Sequence, residues 1–449
     1  MIRCIYNLFW PIGLLFFLPG YFLKMIRRGG YREKFGQRLG IYDRELRARL
    51  SKQKSTWLHA VSVGEVNIAL KLAQALRALE SELHCVLTTT TTTGFALANK
   101  NAPPWIEVMY TPLDYWPIMR RAFSVIRPTR LLLVEAEVWP NLVARAHERR
   151  IPTILVNARL SPRSERRFRR FRFFVVPTFR LLDLVCAQEP EDVDRWVALG
   201  VARDRIRAVG SIKYDPNGRD QTAEAEANQR PTNVSNADRQ RPVLFGGSTH
   251  RGEEEILATI FLRLRQQFPS LQLFIAPRHV ERLREIRAHL AALPMRVTLA
   301  SEVVRQLPDE SNADCIVLDT TGELQRWYAI ATIVFMGKSL TARGGQNPVE
   351  PIMAGKPVVF GPHMENFATL AKALVLKKGA IQVQNIDSLE RTITGLLQDS
   401  QMRQRLVQSA REVLSRHEGA TARAAALIHE LTRVSSSETA PSQLRQARS

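Results

Sequence analysis

Apolar residues follow two rhythms along the chain. Short unbroken runs, 57-WLHAVSV-63, 84-HCVLTT-89, 131-LLLVEA-136, 153-TILVNA-158, 184-LVCAQ-188 and 206-IRAVG-210, have the length of buried strands. Between them, 65-EVNIALKLAQALRAL-79 and 139-WPNLVARAHERR-150 carry apolar residues at helical spacing. Strands alternating with helices predict parallel βαβ units. The rhythm stops over 216–242, a polar stretch with Val234 as its one large apolar residue, which reads as a linker. It restarts with strands at 243-VLFGGS-248, 271-LQLFIAP-277, 315-CIVLDT-320, 332-TIVFMG-337 and 357-PVVFGP-362, and a helix over 252–268. The pattern predicts an α/β chain of two doubly wound, Rossmann-like domains, 27–215 and 243–433, joined by the linker 216–242 and followed by a disordered tail, 434–449. Open sheets of this kind hold ligands beyond the carboxyl ends of their strands. Two such domains facing each other would enclose a cleft, so functional residues are sought just after strands.

The N-terminus breaks this pattern. Residues 4-CIYNLFWPIGLLFFLPGYFL-23 carry no charge, and Lys24, Arg27, Arg28, Arg32 and Lys34 follow. That length can span a bilayer, and no small-x-small cleavage site marks a signal peptide. Residues 1–26 are expected to be a membrane anchor. Pro11 and Pro19 leave open whether it spans or lies in the interface. The basic flank on its C-terminal side places the rest of the chain in the cytoplasm.

Charge sharpens the choice of partner. With 64 basic and 43 acidic residues the formal net charge is +21, which calls for an anionic partner: nucleic acid, acidic headgroups or a phosphorylated substrate. No nucleic-acid motif occurs, and basic residues are not expected to interleave with exposed aromatics, so nucleic acid is set aside. The four cysteines are scattered without a C-x-x-C pair, which suggests neither a zinc site nor a disulfide framework and fits a reducing compartment.

Candidate chemistry falls at strand ends. Glu65 follows a strand and Gly64 at a helix start; it suits either dipole complementarity or a catalytic base. In 135-EAEVWPNL-142, strand alternation would set Glu135 and Glu137 on one face, where burial demands a cation, a ligand or water; a surface loop is the alternative. Lys213, in 210-GSIKYD-215, is either surface charge or a cation at the mouth of the cleft. In 246-GGSTHRGEEE-255 the small residues would let backbone N–H groups approach an anion, and the Glu run reads as helix-start solubility. Arg278, in 276-APRHVER-282, suits bidentate phosphate contacts. The glycine- and proline-rich stretch 337–367 looks like a nucleotide cradle, in which Glu350 could accept from ribose hydroxyls. The G-K-S at 337–339 lacks the first glycine of a Walker A loop, which excludes that ATPase motif.

Taken in order, 59-HAVSVGEV-66, 133-LVEAEVWPNL-142, 156-VNARLSPRS-164, 210-GSIKYD-215, 246-GGSTHRGEEE-255, 276-APRH-279, 320-TTGEL-324, 344-GGQNPVEP-351 and 361-GPHMENF-367 resemble the 3-deoxy-D-manno-octulosonic acid (Kdo) transferases of lipopolysaccharide synthesis, glycosyltransferase family 30. The likeness runs from the N-terminal segment to about residue 430. It implies a GT-B fold, with the donor CMP-Kdo in the C-terminal domain and a lipid A precursor, lipid IVA, as acceptor at the cytoplasmic side of the bacterial inner membrane. By position Glu65 matches the family's proton acceptor, and Glu135 and Lys213 match transition-state stabilisers. Pro277, Arg278, Thr321, Gly322, Glu323, Asn347, Pro348, Val349 and Glu350 match the CMP-contacting segments. Lys338 and Gln346 stand where the family commonly has Gly and His. No metal or other cofactor is expected; acidic inner-membrane lipids are expected partners, and nucleic acid is not. The rivals are a GT-B transferase for another nucleotide sugar and a membrane-tethered nucleic-acid-binding protein.

Overall fold

The apolar runs become strands of two parallel sheets in the computed structural model, which describes residues 3–10, 34–160, 162–215, 241–305, 313–320 and 324–438. The first sheet contains β1 (Ser55–His59), β2 (Cys85–Thr89), β3 (Ile106–Tyr110), β4 (Pro128–Val134), β5 (Thr153–Ala158), β6 (Leu184–Ala187) and β7 (Ile206–Ala208), in the order β3-β2-β1-β4-β5-β6-β7. The second contains β8 (Val243–Thr249), β9 (Gln272–Pro277), β10 (Val297–Leu299), β11 (Cys315–Val317), β12 (Ile333–Met336), β13 (Val358–Phe360) and β14 (Ile381–Gln382), in the order β10-β11-β9-β8-β12-β13-β14. Helices named below are α1 (Val63–Leu79), α2 (Pro140–Glu148), α3 (Pro162–Arg170), α4 (Arg172–Phe179), α5 (Glu253–Leu264), α6 (Val349–Met353) and α7 (Ala420–Glu438).

Every residue of β1, β2 and β5 is buried. Helices cover both faces of a parallel sheet, so its central strands are apolar without alternation. The strands absent from the sequence reading are β3, β10 and β14, all at or next to a sheet edge. There, short length or an outward polar residue such as Glu107 hides the signal. In each sheet strand addition reverses once, between β1 and β4 and between β8 and β12. In open α/β sheets ligands bind at such switch points, beyond the strands' carboxyl ends.

Several expected boundaries are corrected. The run from Trp57 to Val63 ends as strand at His59, because Ser62 caps α1 by accepting from the Glu65 amide, so the helix begins at Val63. The strand ending at 136 stops at Val134, since Glu135 takes a left-handed conformation (φ 60°). The alternation that would have put Glu135 and Glu137 on one face therefore does not apply.

The chain divides into two compact units, Met1–Gly218 with His417–Ser449, and Arg219–Arg416. The segment 417–433, expected in the second domain, packs on the first. Ala424, Ala425 and Ile428 of α7 join the apolar cluster that includes Ile68, Leu72 and Leu76 of α1. The Asp215 carboxylate accepts from the amides of Gly419 (3.0 Å) and Thr421 (2.7 Å), capping the start of α7. Buried Arg130 makes a bidentate pair with Glu80 (2.9 and 2.8 Å) and also donates to Thr432 of α7 (3.1 Å), while His429 lies 2.9 Å from Glu80. Arg130→Ala is expected to cost about 3 kcal/mol, by leaving half a largely desolvated pair, and to loosen α7 first. Urea denaturation with hydrogen exchange over 420–432 checks both. The helix also runs to Glu438, five residues into the expected tail's span, and 439–449 lie outside the described residues.

Most of the expected anchor, and all of the linker except 241–242, also lie outside the described residues. No helix among the described residues is long and apolar enough to cross a membrane. Residues 3–10 are helical and dock on the first unit. Tyr6 donates to Asp114 (3.1 Å), Asn7 bonds Asn141 (2.9 Å), Arg3 pairs with Glu148, and Trp10 stacks on Tyr115 at 4.9 Å. Leu8 and Phe9 of this segment remain exposed.

Candidate active site

Glu65 sits at the switch point of the first sheet, in the first turn of α1. Its Oε2 accepts from the Val61 amide (2.9 Å) and its Oε1 from the Ser62 hydroxyl (2.8 Å), while its own amide donates to Ser62 Oγ (3.4 Å). This arrangement is close to a capping box, so the helix-start role is real. The carboxyl is nevertheless only 7 % exposed. Burial pushes its pKa up to about 7, opposed by the bonds from Val61 and Ser62 and reinforced by the charges of Glu137 and Glu135. A carboxylate with that pKa is a serviceable general base near neutral pH. Desolvation thus overrides the acidifying helix terminus.

The neighbours come from the loop after β4. Glu135 is held left-handed, its amide donating to the Val156 carbonyl (3.0 Å) and its carbonyl accepting from the Arg159 amide (3.4 Å). A non-glycine residue there stores roughly 1–3 kcal/mol of strain, which the surrounding loops must sustain. Glu137 is half-buried and accepts from the Trp139 indole (3.0 Å). Burial raises its pKa, Trp139 opposes the rise, Glu135 adds to it and Arg167 offsets it. Pro140 then opens α2 behind the Trp139 cap.

Lys213 completes the group. Its segment is fixed from three sides. Asn157, buried and left-handed (φ 52°), accepts from the Ile212 amide (2.9 Å) and the Ser211 hydroxyl (3.3 Å). His417 Nδ1 accepts from the Ser211 amide (3.2 Å). Lys71, two turns along the helix that carries Glu65, donates to the carbonyls of Ile212 (3.1 Å) and Asp215. Burial lowers the Lys213 pKa, Glu135 raises it and Arg159 lowers it further. Glu65, Glu135 and Lys213 are therefore brought into one electrostatic cluster, together with Glu137. Glu137 is expected from the sequence only as a neighbour of Glu135, and Asn157 is a site residue that the sequence expectations lack. An Asn placed mid-strand before a basic turn was the available signal, because Asn tolerates the left-handed region. Glu137→Gln is expected to move the acidic limb of the pH–rate profile to lower pH by removing a charge that holds Glu65 protonated. An unmoved limb in kcat against pH would deny the coupling.

In the second unit one expected donor segment lies at a strand end and another at the start of α6. Pro277 is the last residue of β9, and the Arg278 amide donates to the Thr249 carbonyl (3.0 Å), joining the ends of β9 and β8. Asn347 Oδ1 accepts from the Val349 amide (3.2 Å) and Asn347 Nδ2 approaches Glu350 (3.5 Å), with Pro348 immediately before α6. Thr321, Gly322 and Glu323 lie outside the described residues. Two expectations about 246–255 are corrected. Gly246 and Gly247 are within β8, and a Cβ on Gly247 would meet the Tyr328 hydroxyl at 2.5 Å, so their smallness serves packing rather than an anion. Glu253 and Glu254 are buried, and of the Glu run only Glu255 is exposed as solvating charge would be. A third expectation fails on α3 and α4. Five arginines between 166 and 172 interleave with Phe171, Phe173 and Phe174, which are 50 %, 61 % and 45 % exposed.

Comparison with known proteins agrees with this architecture. Residues 33–216 match the family described as 3-deoxy-D-manno-octulosonic-acid transferase (kdotransferase). A 3-deoxy-D-manno-octulosonic acid transferase of Haemophilus influenzae is 32% identical over 402 residues, covering 89% of this chain and 92% of that protein. One from Bordetella pertussis is 32% identical over 375 residues, covering 82% and 85%. Among solved structures, MurG of Acinetobacter baumannii superposes with a TM-score of 0.54 at 17% identity over 84% of this chain and all of that one, a likeness that marks the fold as GT-B. The chain belongs to the 3-deoxy-D-manno-octulosonic acid (Kdo) transferase family of glycosyltransferases.

Proposed function

We propose that the chain transfers Kdo from CMP-Kdo to a lipid A precursor, lipid IVA, with inversion at the anomeric carbon. The observation that carries the reading is a buried carboxylate, Glu65, poised near neutral pH at the switch point of the first sheet, within reach of the charges of Glu137 and Glu135, the latter coupled in turn to Lys213. A sugar hydroxyl of the acceptor gives its proton to Glu65 as its oxygen attacks the anomeric carbon, and CMP leaves with the bonding electrons. Lys213 offsets negative charge on the donor during the transfer, and Arg278 at the end of β9 meets the phosphate. Glu135, paired electrostatically with Lys213, stabilises the cationic character that develops at the sugar.

The +21 charge has a place in this reading. The arginines and exposed phenylalanines of α3 and α4 suit the phosphates of the acceptor and an acidic lipid surface on the cytoplasmic side of the inner membrane. The same interleaving would also suit single-stranded nucleic acid. Mass spectrometry of product from purified protein, CMP-Kdo and tetraacylated lipid A precursor tests the proposal. Product heavier by one or more Kdo residues is expected, and an unmodified acceptor would sink it. Turnover indifferent to replacing anionic with zwitterionic vesicles would remove the arginine face from the reading.

A further inference from the structure

The second sheet has its own buried carboxylate at its switch point. Glu253, the first residue of α5, is 0% exposed. Its Oε2 accepts from the amides of His250 (2.8 Å) and Lys338 (2.7 Å), and its Oε1 from those of Ser339 (3.0 Å) and Leu340 (3.0 Å). The donors belong to two turns far apart in sequence, one after β8 and one after β12. The turns are pressed together: Ser248 and Lys338 are both left-handed (φ 52° and 56°), Gly337 donates to the Gly247 carbonyl (2.8 Å), and any Cβ on Gly337 would run into the Ser248 carbonyl.

Converging backbone N–H groups at a switch point form the kind of nest that binds a phosphate. Here the protein's own carboxylate fills it. The amides of 338–340 are therefore committed before any ligand arrives, and the G-K-S turn does not act as a phosphate loop. What the carboxylate secures is the course of the chain that follows. The Ser339 hydroxyl accepts from the Gly361 amide (2.8 Å), its carbonyl from His363 (3.0 Å), and the Lys338 carbonyl from Gly345 (2.9 Å). A second carboxylate, Glu365, accepts from the Gly344 amide (2.7 Å). The loop so pinned runs directly into Asn347–Glu350.

We infer that Glu253 is a positioning residue for the donor: it clips the turns after β8 and β12 together and so holds the loop 338–350 in its nucleotide-receiving shape before the nucleotide binds. The inference rests on the reading that the second unit takes CMP-Kdo. Preorganisation of this kind raises affinity by removing the ordering cost from the binding step.

Glu253→Gln keeps the shape but turns one terminal oxygen into an amide that faces two N–H donors. Calorimetric CMP affinity and the KM for CMP-Kdo are expected to weaken by roughly tenfold to a hundredfold, while the acceptor KM and kcat at saturating donor stay within about threefold. A wild-type protein that does not bind CMP overturns the donor reading itself. A wild type that binds CMP with a Glu253→Gln variant that binds it as tightly overturns the inference, whatever happens to thermal stability. A measurement on the unsubstituted protein tests the same claim if the variant does not fold. The amides of His250 and 338–340 are expected to resist hydrogen exchange already without CMP; protection that arises only with CMP overturns the role given to Glu253.

Discussion

Glu65→Gln is expected to lower kcat by about 10²–10⁴-fold, the range for loss of a general base, while CMP still binds. Gln is a sharper probe than Ala, because Ala would also remove the bonds from Val61 and Ser62 that shape the start of α1. Two further readouts separate a base from a structural cap. In the wild type, kcat should rise with pH through a midpoint near 7, where Glu65 ionises, and the variant's residual rate should lose that limb. Stability should change in the opposite sense. The folded-state pKa of Glu65 lies above its unfolded value, so the stability it lends is fully present below the unfolded pKa of 4.5 and is lost as pH rises through about 7. Ionising Glu65 at pH 8 therefore costs the fold about 3 kcal/mol, which the neutral amide avoids. The variant should melt higher than wild type at pH 8, with the gap nearly closed at pH 4.5. A variant that melts lower at pH 8 and still turns over would leave Glu65 as a cap alone.

Lys213→Met should cut kcat by roughly 10²–10³-fold, the cost of removing one preorganised stabiliser of transition-state charge. The fold should tolerate it. The segment is held by Asn157, Lys71 and Asp215 through other atoms, so the side chain can change without moving the backbone. Burial also depresses the Lys213 pKa, so the stability it lends is present above the unfolded value and is lost as pH falls through the folded value. Unchanged or raised thermal stability with collapsed turnover is the expected pair of results; a loss of stability matching the loss of turnover would make Lys213 structural. Asn157→Ala is the informative contrast, because it strips two bonds from the same segment and should lower both.

Much of the fold was legible because buried parallel strands must be apolar on both faces. Trp57, Leu58, Leu131, Leu132 and Leu133 announce β1 and β4 without knowledge of their partners. Edge strands such as β10 and β14 carry no such constraint and were missed. The return of α7 to the first unit was also invisible. Its stripe of Ala424, Ala425 and Ile428 shows that one face is buried but not against what. Only Asp215, reaching across to the start of α7, and Arg130, reaching Thr432, record the destination.

Local chemistry in the sequence determined where Glu65 would sit. An apolar run, Gly64 and then Glu65 ahead of a helical pattern point to a helix start, and the structure adds Ser62 as the cap that moves this start to Val63. The sequence could not determine how basic that carboxylate is, because a pKa depends on the solvent and charges removed or added around it. Those come from the 135–137 loop, which is distant along the chain and is brought back by the pairing of β1 with β4. The same holds for Glu253. In sequence it is one of three consecutive acids at a helix start, indistinguishable from solubilising charge. In the folded unit the amides of a turn some 85 residues away close around it. A charge is paired or solvated according to what surrounds it in space, and that only the tertiary structure decided.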